Sequence, residues 1–135
     1  MYYFAYGFNL SKKQMKERAP DSKPITPATL PNYKLIFVGW SRVWKGGVAS
    51  LRRVQGSKVP GAVYEISDKD LNRLDKLEGF PNDYDRIKVI VFDEDGTAME
   101  AVTYIKKGQV EESQPSKEYA SVIYQGYREL SLIHI

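Results

Sequence analysis

The chain has 135 residues, 42% of them apolar, with 20 basic and 17 acidic side chains and a net charge of +3. That length and apolar share predict one globular domain over residues 1–135 and exclude a disordered chain. No stretch approaches the roughly 20 apolar residues of a bilayer span, no secretory pattern opens the chain, and cysteine is absent. Disulfides, thiolate nucleophiles and sulfur-ligated metals are thereby removed, and a soluble cytoplasmic protein is expected.

In chain order, residues 2–6 read as an aromatic-rich strand stopped by Gly7, and Ser11 to about Ala19 as a short helix ended by Pro20. Residues 20–31 carry Pro20, Pro24, Pro27 and Pro31 and are expected to form an extended connection. Tyr33–Trp40, Gly47–Leu51 and Ala62–Ile66 read as strands. Ser67 opens a helix with Asp70 three residues on, a variant of the capping box. The segments Tyr84–Phe92 and Met99–Ile105 flank Asp93-Glu94-Asp95-Gly96, a hairpin signal. A last helix follows Pro115-Ser116 to about Leu130. Strands and helices do not alternate strictly, so the predicted fold class is α+β, a mixed, barrel-like sheet with flanking helices.

Several chemistries drop out. The single histidine, His134, is the penultimate residue, a poor place for a catalytic base. Histidine-dependent nucleophilic machinery, phosphate-binding loops, dinucleotide fingerprints and zinc ligand sets are all missing from the sequence. The basic stretches (Lys12, Lys13, Lys16 and Arg18, then Arg52 and Arg53) read as solvated faces; with ten tyrosines they leave nucleic-acid binding as a minor alternative. An enzyme built from this chain would work through a carboxylate, tyrosines and backbone dipoles.

One carboxylate stands out. With Leu71 at the origin of a helical wheel, Leu74 falls near 300°, Leu77 near 240° and Glu78 near 340°. Glu78 therefore lies at the edge of the apolar face, in the last turn before Gly79, the expected C-terminal stop. The negative end of the helix dipole and desolvation both favour its protonated form, so a raised pKa is predicted. The alternative is a side chain that simply reaches past the edge into water. The loop after the first strand leaves the amides of residues 7–11 without strand partners, and such amides can converge on an anion or oxyanion. The plainer account has Gly7 turning the chain and Asn9 capping the helix.

Taken together, these residues resemble the γ-glutamylcyclotransferase-like family. Its Y-F-A-Y-G-S-N-L hallmark is matched by Tyr3-Phe4-Ala5-Tyr6-Gly7-Phe8-Asn9-Leu10. Further matches follow in order: Leu30-Pro31-Asn32-Tyr33-Lys34-Leu35, Gly46-Gly47-Val48-Ala49, Val59-Pro60-Gly61-Ala62-Val63-Tyr64, Leu74-Asp75-Lys76-Leu77-Glu78-Gly79, and Pro115-Ser116-Lys117-Glu118-Tyr119 with Gly126. The resemblance implies that Glu78 is the catalytic glutamate, that Tyr3 to Leu10 form the substrate-binding loop, and that Tyr119 and Tyr84 are binding tyrosines. It also implies a small γ-glutamyl substrate cyclised to 5-oxoproline with release of an amine or amino acid. No cofactor, metal, nucleic acid or membrane is implied, and the family includes monomers and homodimers. One departure is Phe8, where the family has serine: backbone amides do not depend on that side chain, whereas a bulky ring reshapes the pocket. A silent small-molecule binding domain of the same fold is the alternative that Phe8 raises.

Overall fold

The computed structural model describes residues 1–108 and 111–133, with side chains described through residue 129, so His134 lies outside the described residues. The elements are β1 (Tyr2–Ala5), a 3₁₀ turn (Phe8–Leu10), α1 (Lys12–Arg18), β2 (Lys23–Ser41), β3 (Gly46–Glu65), α2 (Asp68–Glu78), β4 (Tyr84–Asp93), β5 (Ala98–Lys106) and α3 (Lys117–Ile133). The strands close into a mixed barrel in the order β1-β3-β2-β4-β5. All neighbours are antiparallel except β1 and β5, which pair in parallel at Tyr3 and Val102. The α+β, barrel-like class read from the sequence is the one observed.

Local signals hold where they are strongest. Ser67 caps α2 by accepting from the Asp70 amide at 3.1 Å, while Asp70 accepts from the Ser67 amide at 3.3 Å. Gly79 ends α2 in the left-handed region, at φ 75° and ψ 32°, where a Cβ would be strained. The β4–β5 turn is organised by Asp93, whose carboxylate accepts from the Asp95 and Thr97 amides at 3.0 and 2.8 Å.

The proline-rich stretch is a correction. Residues 23–31 are not a connection but the first half of β2, paired with β3 from Lys23↔Glu65 to Pro31↔Lys58. Residues 52–61, expected between two separate strands, are likewise part of a continuous β3. Proline already holds the extended φ a strand needs. Its missing donor is tolerated because β2 meets its other neighbour, β4, only at Ala28 and Thr29, and because register shifts fall at Pro24/Thr26 and Pro31/Tyr33. Cross-strand pairing thus overrides weak local propensity.

Alternation along the strands sorts side chains into two cores. The barrel interior holds Phe4, Tyr6, Leu30, Leu51, Val63 and Val91, together with Tyr119 and Ile123 of α3. Outside the wall, Tyr3, Ala5, Tyr64 and Tyr104 meet Leu10, Met15 and Ala19 of the first helical segment and Leu74 of α2. Among the described residues no helix is long and apolar enough to cross a membrane. Five of the tyrosines (Tyr3, Tyr6, Tyr64, Tyr104 and Tyr119) are buried, which removes them as the exposed stacking rings that single-stranded nucleic acid requires.

Candidate active site

The end of β1, the end of α2 and the start of α3 meet at one mouth of the barrel. β1 stops at Ala5, and Gly7 lets the chain turn: a Cβ on Gly7 would come within 2.9 Å of the Ala49 Cβ on β3. The turn then tightens into the Phe8–Leu10 helical turn, in which the Leu10 amide donates to Gly7 O at 3.0 Å. Of the amides in 7–11, that of Leu10 is therefore used by the turn itself.

Asn9 does not cap α1. Ser11 occupies that position, and the Asn9 side chain, 3% exposed, is turned inward. Its Nδ2 donates to the Tyr3 hydroxyl at 3.0 Å and to Glu78 Oε1 at 3.4 Å, while its Oδ1 accepts from Arg18 Nη1 at 2.5 Å. Both the NH2 group and the carbonyl oxygen of this buried amide are thus engaged. Arg18 Nη1 also lies 3.8 Å from Glu78 Oε1, and its guanidinium sits 5.0 Å from the centre of the Phe8 ring.

The Glu78 side chain is 18% exposed. Burial pushes its carboxyl above the ordinary range, outweighing the Arg18 guanidinium, the Asn9 amide and the Lys106 ammonium, each of which favours the carboxylate. The surrounding phenols are raised as well. Burial is the main cause at Tyr3, Tyr6 and Tyr84, with the Glu78 charge adding to each, and Tyr119 is pushed up to about 12. Near neutrality these phenols therefore stay protonated. Replacing Arg18 with methionine is expected to raise the Glu78 carboxyl further, because a favourable charge is lost while an apolar stem remains. Carboxyl-carbon NMR titration of both proteins checks this; an unchanged or lower midpoint would contradict it.

Two adjoining cavities share this centre. An inner one of about 40 Å³ is lined by Tyr3, Tyr6, Gly7, Asn9, Ala49 and Tyr104, and an outer one of about 510 Å³ opens past Arg18, Trp44 and Lys106. Phe8, Glu78, Tyr84 and Tyr119 line both. Tyr119 accepts from the Ala49 amide at 3.0 Å, and Tyr84 donates to Ala49 O at 3.3 Å, so both rings are anchored to β3. Phe8 lies nearly parallel to Tyr119, with ring centres 6.2 Å apart and an angle of 5°, and both meet Trp44 at 5.2 Å.

Of the candidate residues, Tyr3, Tyr6, Gly7, Phe8, Asn9, Glu78, Tyr84 and Tyr119 are gathered around these cavities. Phe4, Ala5 and Leu10 are not: they are buried in the two cores and line neither space. Sequence reading missed Arg18, Trp44, Lys106 and Asp83, which reach the outer cavity from α1, the β2–β3 turn, β5 and the segment after α2. No local pattern marks them. Leu77, assigned to the apolar face, is 52% exposed and sits at the cavity mouth.

Behind Glu78 the helix is held by a polar clamp. Asp75 accepts from Arg86 Nη1 at 2.5 Å and from the Tyr104 hydroxyl at 2.6 Å, tying α2 to β4 and β5 one turn before the glutamate. Burial and the Asp75 acceptor both keep that phenol protonated.

A family profile described as γ-glutamyl cyclotransferase, AIG2-like, matches residues 3–125. The human γ-glutamylcyclotransferase is 32% identical over 96% of this chain and 71% of its own length, and the bovine one 33% identical over the same shares. A solved structure of a γ-glutamyl cyclotransferase superposes with a TM-score of 0.92 at 31% identity, covering 98% of this chain and 80% of that one. With a family profile matched over residues 3–125 and relatives aligned along nearly the whole sequence, the chain belongs to the γ-glutamyl cyclotransferase, AIG2-like family of enzymes.

Proposed function

We propose that the chain cyclises a small γ-glutamyl compound to 5-oxoproline, with Glu78 moving the protons. The observation that carries this reading is the position of Glu78 on the boundary of the two cavities, partly desolvated yet hydrogen-bonded by Asn9. A carboxyl raised above its ordinary range is a better base, and once protonated a better-matched acid, near neutral pH.

The substrate lies in the outer cavity with its γ-carbonyl at the boundary. Its α-nitrogen attacks that carbon, forming the lactam C–N bond; collapse of the tetrahedral intermediate breaks the bond to the leaving nitrogen. The α-ammonium gives up two protons in becoming the lactam N–H, and the leaving nitrogen takes up two in becoming an ammonium. Glu78 relays them, and no water is consumed. The amides of Gly7 and Phe8 hold the substrate carboxylate or the developing oxyanion, and Tyr84 and Tyr119 wall the reacting chain. Since nucleophile and electrophile share one molecule, fixing the reactive conformer supplies much of the rate, up to about 7–11 kcal/mol in favourable cases.

Phe8 fits this reading because its ring is accommodated against Tyr119 and Trp44 under Arg18. The test is 5-oxoproline release from γ-glutamyl dipeptides, glutathione and γ-glutamyl amines. Equimolar 5-oxoproline and free amine from at least one of them is the expected result. No release from any would overturn the reading and favour a pocket that binds without turnover.

A further inference from the structure

The outer cavity is more than ten times the volume of the inner one, about 510 against 40 Å³, and its walls differ in kind. Its charged groups balance, with Arg18 and Lys106 against Glu78 and Asp83, so charge alone selects no ligand. Its remaining wall is largely apolar: Phe8, Trp40, Val43, Trp44, Val48 and Leu77. Three of these are conspicuously exposed, Trp40 at 69%, Val43 at 83% and Leu77 at 52%.

Large apolar side chains left in water and converging on one concave mouth are the mark of a ligand-binding rim. Three ring systems are already packed together there, since Trp44 is held edge-on to Tyr119 and tilted to Phe8, each 5.2 Å away. Trp40 and Val43 rise beside them from the end of β2 and the turn into β3. The glutamyl half of the substrate must reach Glu78 at the inner boundary. Whatever is attached to its γ-carbonyl must then lie outward, against the aromatic rim.

We infer that the leaving group is a large apolar or aromatic amino acid or amine, recognised by the rim formed by Trp40, Val43, Trp44 and Leu77. This rests on the cyclotransferase reading for its chemistry, but the binding preference can be measured without turnover. Glutaryl-phenylalanine and glutaryl-alanine keep the substrate carboxylate and γ-amide yet lack the α-amine, so neither can cyclise. They differ only in the ring that would meet the rim. The chain has two tryptophans, and both line this cavity, so intrinsic fluorescence reports binding directly, with calorimetry as the second readout.

Wild-type protein is expected to bind the phenylalanine compound about tenfold or more tighter, the range that burying one aromatic side chain supplies. The exposed Trp40→Ser substitution is expected to bring the ratio down several-fold, read by calorimetry. Equal affinities, a preference for alanine, no binding of either compound, or a ratio unchanged in Trp40→Ser would each overturn the inference. Release of 5-oxoproline from γ-glutamyl-alanine without a ring preference would leave the cyclotransferase reading standing and this one lost. Ring preference without release from any substrate would leave the rim's binding preference standing, with the leaving-group assignment lost along with the cyclotransferase reading.

Discussion

Replacing Glu78 with glutamine is expected to lower kcat/KM for 5-oxoproline release by roughly 10²–10⁴-fold, the span that a positioned acid–base group contributes. Glutamine keeps the shape and can still accept from Asn9, but it cannot carry a proton between nitrogens. Unchanged turnover would remove Glu78 from the mechanism. The same variant is expected to gain stability at neutral pH. Burial raises the folded-state carboxyl above its unfolded value of about 4.3, so the folded state prefers the protonated form. The Glu78 contribution is therefore most favourable below that unfolded value and is lost as pH rises through the folded one. Glutamine carries no such dependence. Urea unfolding from about pH 4 to 8 should show Glu78→Gln gaining on the wild type as pH rises and converging with it in acid; a gap that narrows with rising pH would contradict the burial account. Activity and stability are thus predicted to move in opposite directions at one residue.

Leu74→Ala is expected to cost about 2–5 kcal/mol, a large part of the roughly 5–15 kcal/mol that holds a domain together. Leu74 is fully buried, and its side chain joins Met15, Ala19 and Tyr64 in the core outside the barrel wall. A shift in the urea midpoint at constant slope measures the cost. A loss below about 1 kcal/mol would mean that the surrounding side chains close the cavity. Leu74 also anchors the helix that presents Glu78 four residues later. Catalytic efficiency should fall with stability even below the unfolding transition, although the Asp75 clamp to Arg86 and Tyr104 remains.

The legible parts of the fold share one property: each is decided within a few residues. Ser67 and Asp70 satisfy one another across three positions, Gly79 stops α2 because it alone takes φ 75° freely, and Asp93 gathers the amides of its own turn. Glu78 was legible as an anomaly, a carboxylate on an apolar edge at the wrong end of a helix dipole, and its raised carboxyl agrees with that reading. The proline-rich half of β2 was not legible, because what makes it a strand is a partner more than 25 positions away (Pro31↔Lys58, Lys23↔Glu65). Leu77 misled for a related reason: a wheel describes a helix face but not what lies opposite it, and opposite Leu77 is a cavity.

The sequence by itself determined the family, the α+β class, the helix stops and caps, and the loop and glutamate as the places to look. Those follow from local hydrogen bonding, from periodicity, and from motifs whose order survives along the chain. Only the tertiary structure decided that Asn9 bridges Tyr3, Arg18 and Glu78 instead of capping α1, and that Phe4, Ala5 and Leu10 serve the cores. It alone decided that Trp44, Lys106 and Arg18 share a cavity with the glutamate. Barrel closure brings those residues together from four separate elements, and contacts between elements that far apart in sequence leave no periodicity or spacing to read.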